Sequence, residues 1–75
     1  MNGMKKPLFA ATLVRADRVR SYHVRPTTQG WEASAFEDHR VMHDRHYTDW
    51  HRVEHTLASF KHEIAGLRAD GWRDA

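Results

Sequence analysis

Apolar residues fall at Trp50, Val53, Leu57, Phe60, Ile64 and Leu67, at alternating steps of three and four. That spacing puts all six on one stripe of a helix and predicts an amphipathic helix over 48–72. Thr48 or Asp49 can cap its start by offering a side-chain oxygen to the free N–H groups of the first turn. At the far end, Leu67-Arg68-Ala69-Asp70-Gly71-Trp72 has the form of a Schellman stop. Glycine suits the left-handed residue just past the helix, and Trp72 would fold back on Leu67.

Before the helix the pattern shortens to a period of two. Val19–Arg25 reads as a strand with Tyr22 and Val24 on one face, and Pro26 is expected to stop pairing. Thr27-Thr28-Gln29-Gly30 is a turn. Trp31–Glu37 is a second strand, with Trp31, Ala33 and Ala35 together; Phe36 breaks the alternation and suggests a bulge. Arg40–Tyr47 is a third. The segment Pro7–Val14 is apolar and short, compatible with a strand or a helical turn, and Met1–Lys6 is expected to be disordered.

These elements predict one small α+β domain over 7–75: a three-stranded antiparallel meander followed by one long C-terminal helix packed on one face, β-β-β-α. A helix of 22 residues spans about 33 Å, and a seven-residue strand about 23 Å. The helix would therefore outrun its sheet and leave Ile64, Leu67 and Trp72 in need of cover. Residues Leu8, Phe9, Leu13 and Val14 could supply it, or a second copy of the chain could. The strict two-in-seven spacing of the stripe favours a helix seam, as do the small neighbours Ala58, Ala65, Gly66 and Ala69. A homodimer through Ile64, Leu67 and Trp72 is thus the expected mode of association, with another protein as the other possible partner.

Length and composition narrow the functional classes. At 75 residues the core is small, and the absence of cysteine removes disulfides and zinc–thiolate sites as supports. Lack of cysteine suits a reducing cytoplasm, the expected location. No apolar run approaches the roughly 18 residues of a membrane span. The N-terminal apolar stretch ends at Arg15, a poor match to a secretory leader.

Charge is unevenly placed. Residues 1–25 hold six cationic side chains against Asp17, whereas 26–75 hold six against nine acids. Arg15, Arg18, Arg20 and Arg25, with Tyr22 and Trp31 nearby, could form a basic sheet with stacking aromatics. Nucleic-acid binding is therefore the alternative function. It gains if these arginines ring one open face and loses if they pair with acids.

Seven histidines are present. His51-Arg52-Val53-Glu54-His55 matches the inverted zinc-protease signature H-x-x-E-H, with two imidazoles at helical i, i+4 and Glu54 placed as a general base. The helical wheel turns His55 and His62 away from the apolar stripe, toward water, and only twenty residues follow His55. Weak surface chelation is expected there rather than a catalytic centre, so His51, Glu54 and His55 stand only as a distant alternative. The serines lie outside any nucleophile motif, and no cofactor is implied. The expectation is a non-enzymatic interaction domain.

Overall fold

A computed structural model of the chain describes residues 7–75. The elements run β1 (Phe9–Arg15), β2 (Arg18–Thr27), β3 (Gly30–Glu37), β4 (Arg40–Tyr47), α1 (Trp50–Ala69) and a two-residue β5 (Arg73–Asp74). The strands form one antiparallel sheet in the order β4-β3-β2-β1-β5, and α1 crosses one face. The α+β class and the C-terminal helix agree with expectation, but the strand count does not. The ambiguous segment is a full strand. Alternation within it turns Phe9, Ala11 and Leu13 to the helix, and Leu13 is fully buried. The expectation of disorder for Met1–Lys6 lies outside the described residues.

Parity explains which side chains meet the helix. The partners in register share a face: Leu13 with Arg20, Tyr22 with Ala35, Val24 with Ala33, Trp31 with Tyr47. The core is a single layer of Leu13, Tyr22, Val24, Ala33 and Ala35 from the sheet, and Val53, Phe60, Ile64 and Trp72 from above it. Phe60 sits centrally. Its ring meets Tyr22 edge-on at 5.0 Å and His43 at 5.4 Å. Leu57 is only half-buried beside it, and Trp50 remains largely exposed while leaning on Trp31 at 5.3 Å.

The helix begins and stops as its sequence signals, two or three residues inside the expected bounds. Asp49 caps the start, accepting from the His51 N–H at 3.0 Å. At the end the Trp72 N–H donates to Leu67 O at 3.0 Å and the Gly71 N–H to Arg68 O at 3.2 Å. Those are the two bonds of a Schellman motif, and Gly71 takes φ of +95° to make them.

The ladder shows why Pro26 does not end its strand. The Leu8 N–H donates to Val24 O at 2.8 Å, so the main chain of Val24 faces β1. Alternation gives Pro26 that same side. There β1 has already ended, so the missing N–H forfeits no ladder bond, and Pro26 stays in register with Trp31. The expected bulge exists but lies in the partner strand. Ala35 is opposite His43 and Phe36 opposite Val41, which leaves Met42 as the extra residue. Gly30 ends the β2–β3 turn at φ of +150°, where a Cβ would lie 2.2 Å from Tyr47 O.

The expected overhang of the helix disappears. Twenty helical residues span about 30 Å, and the ten residues of β2 span about 33 Å. With β1 and β5 extending the sheet, Ile64 and Trp72 are buried within one chain and Leu67 is half-buried. These residues do not form an exposed seam: of the two expected covers, the first strand supplies it within one chain, and the expected pairing of two copies through Ile64, Leu67 and Trp72 loses its premise. Of the segment proposed as the alternative cover, Phe9 and Leu13 do face the helix. Leu8 and Val14 have the opposite parity.

Candidate interaction surface

Where the arginines point separates the two classes of function. Arg15, Arg18 and Arg20 have helix-side parity, while Arg25 lies on the opposite face. They do not ring one surface. Arg18 and Arg20 both ion-pair with Glu37, the latter at 2.6 Å, and Arg25 pairs with Glu32 at 2.5 Å. Strand register sets these pairs: Arg20 is directly opposite Glu37, with Arg18 one diagonal step away on the same face, and Arg25 is opposite Glu32.

The Glu37 cluster is a structural knot at the helix end of the sheet. Arg20 also donates to the Tyr22 hydroxyl at 3.3 Å, and that hydroxyl donates to Glu63 on the helix at 3.1 Å. The guanidinium carbons of Arg18 and Arg20 lie 5.7 and 5.8 Å from the centre of the Trp72 ring. Trp72 is thus held by the Schellman bond below and two cations beside it. Burial, opposed by the Arg20 hydrogen bond and reinforced by the charge of Glu63, raises the Tyr22 phenol above its usual pKa.

The histidines do not converge. His51 and His55 stand 5.2 Å apart, both exposed on the outer side of α1 with Glu54. His62 is exposed further along the helix, and His39 in the β3–β4 turn. His43 faces the helix and is half-buried; its Nε2 lies 3.3 Å from the Tyr47 hydroxyl, which accepts from Thr56 at 3.1 Å. His23 and His46 are on the other face of the sheet. Among the described residues, no group of three or more metal-ligating side chains forms.

That other face is the surface left uncovered. Parity places on it Leu8, Ala10, Thr12 and Val14 of the first strand region, Val19, Ser21, His23 and Arg25 of β2, Glu32, Ser34 and Phe36 of β3, and Val41, Asp44 and His46 of β4. At the end near the β1–β2 and β3–β4 turns, Val14 is opposite Val19 and Phe36 opposite Val41. Val19 lies one diagonal step from Phe36, so an apolar band crosses four strands. Val19 is 40% exposed and Val41 62%. The middle of the face carries the small side chains Ala10, Thr12, Ser21 and Ser34. From Phe36 of the band outward, Ser34, His23, Arg25, Glu32 and Asp44 border a hollow of about 620 Å³. The band was missed from sequence because its residues come from four strands, one from each, and only register sets them side by side. The available signal was parity for Val14, Val19 and Phe36, which alternate with the core positions of their own strands; Val41 has the sequence parity of His43 and reaches this face only through the Met42 bulge.

No family model, curated protein or solved structure matches the chain in these comparisons.

Proposed function

We propose that this is a non-catalytic interaction domain that pairs with a second copy of itself through the uncovered face of its sheet. The observation that carries this is the apolar band of Val14, Val19, Phe36 and Val41 on the face opposite the helix. Contiguous apolar surface of this kind costs solvation free energy in an isolated chain and marks interfaces. Two sheets pack face to face about 10 Å apart when small side chains allow the approach. Ala10, Thr12, Ser21 and Ser34 allow it here.

Charge favours a second copy over a polyanion. On this face Arg25 and Arg73 are balanced by Glu32 and Asp44, so self-pairing brings no net like charge together. Nucleic-acid binding loses its footing for the same reason, and because Arg18, Arg20 and Arg25 are already paired. The interface moves from the helix end, where Ile64 and Trp72 are core residues, to the sheet.

Sedimentation equilibrium over a wide concentration range tests this. A species of twice the 8.8 kDa chain mass is expected. Val19→Lys combined with Val41→Lys should return it to monomer without loss of fold, as both side chains are exposed. Only the single-chain mass at millimolar protein would overturn the proposal.

A further inference from the structure

We infer that the free edge of β4, with the cleft between it and α1, docks an extended acidic peptide by strand addition. β4 ends the sheet, and no described strand pairs with its outer side. The direction of its main chain follows from the ladder. Val24 faces β1, so His23 and Arg25 face β3. Their partners Ser34 and Glu32 therefore face β2, which leaves Ala33 and Ala35 facing β4. Arg45 and His43 are opposite Ala33 and Ala35 and bond inward. Asp44 and His46 consequently present their N–H and C=O groups outward. Two such residues, two apart and beyond the Met42 bulge, are the hydrogen-bonding repeat that an added strand needs.

The surroundings select the peptide's charge. Side chains of an added strand alternate between the two faces of the sheet, and those on the helix side would lie over a cleft of about 160 Å³ bordered by Met42, His43, Thr56, Ser59, Phe60 and Glu63. Arg45 and Arg40 share that side. Arg52 lies one helical turn before Thr56. Among the described residues none of these three arginines is ion-paired. Two acids lie on that side: Glu63, which accepts the Tyr22 hydroxyl, and Glu37, opposite Arg40 and already paired with Arg18 and Arg20; Asp44 points to the other face. Three uncommitted guanidinium groups beside a free strand edge fit carboxylates at alternate positions of an extended chain.

A second copy fits this edge poorly. Two-fold pairing of β4 centred on Asp44 sets that residue against itself, and centring on Arg45 does the same with arginine. The site is separate from the apolar band of the open face, so its failure leaves the self-association proposal standing, and the reverse.

An amide-resolved NMR titration of the full chain tests it, with a capped hexapeptide of alternating valine and glutamate as probe and its valine–lysine counterpart as control. The expected result is saturable shifts concentrated at Asp44 and His46, weakened by salt. Arg45→Glu with Arg52→Glu should weaken binding at least about tenfold. Asp44→Pro removes an outward N–H at an edge position that tolerates proline, and should abolish the shifts. If that variant fails to fold, the charge reversal still decides. Equal binding of the lysine peptide would overturn the inference. So would shifts confined to the Val19–Val41 band, β4 shifts that follow protein concentration without peptide, or none at millimolar peptide.

Discussion

Replacing Phe60 by alanine removes the side chain on which the two layers meet. The residue is 3% exposed, and its ring lies edge-on to both Tyr22 and His43. A buried phenyl side chain withdraws on the order of 150 Å² from water, and at about 25 cal/mol per Å² that is about 4 kcal/mol. Alanine retains a small part of this, and the unfilled cavity adds to the loss, so the expected cost is about 3–5 kcal/mol. Stability of about 0.05–0.15 kcal/mol per residue puts the whole chain at roughly 4–11 kcal/mol. The substitution therefore consumes a large share of the total. Urea unfolding followed by tryptophan fluorescence and by far-ultraviolet circular dichroism measures it: the midpoint should fall sharply with both probes coincident. His62→Ala, exposed on α1 and outside both proposed surfaces, serves as the comparison and should stay within about 0.5 kcal/mol. A Phe60→Ala midpoint as close to the parent as that of His62→Ala would refute the helix-on-sheet core.

Two further outcomes follow from backbone and charge. Gly71→Ala should cost about 1 kcal/mol, from the left-handed φ alone, because its Cβ would meet only the Arg15 side chain at 3.8 Å. Gly30→Ala should cost more, about 2–3 kcal/mol, since its Cβ would collide with the Tyr47 carbonyl; equal melting points for the two variants would contradict that difference. The raised pKa of Tyr22 favours the neutral phenol in the folded chain. Its contribution is complete below the ordinary tyrosine pKa and is lost as pH rises through the folded value. Denaturant titrations from pH 8 upward should therefore show stability falling above about pH 10. Tyr22→Phe should flatten that decline, and an unchanged slope would show that another group causes it.

Much of this architecture is carried by short-range pattern. The helix stripe, the Asp49 cap and the Gly71 stop depend on residues within a turn or two of one another, and the same chemistry operates wherever the helix is placed. The strand parity of Tyr22, Val24, Ala33 and Ala35 is equally local. It predicts the core side of the sheet, and through register it leads to the pairing of Arg20 with Glu37. What the chain could not declare by itself depends on neighbours distant in sequence. Phe9–Arg15 is a strand because β2 and the returning Arg73–Asp74 offer main-chain partners on either side. That extra strand covers Ile64 and Trp72, which turns an apparently exposed apolar end into core. Pro26 is tolerated only because β1 has stopped before reaching it. The uncovered band is likewise a tertiary fact. Val14, Val19, Phe36 and Val41 come one from each of four strands until pleat, register and the Met42 bulge set them side by side, with α1 on the other face.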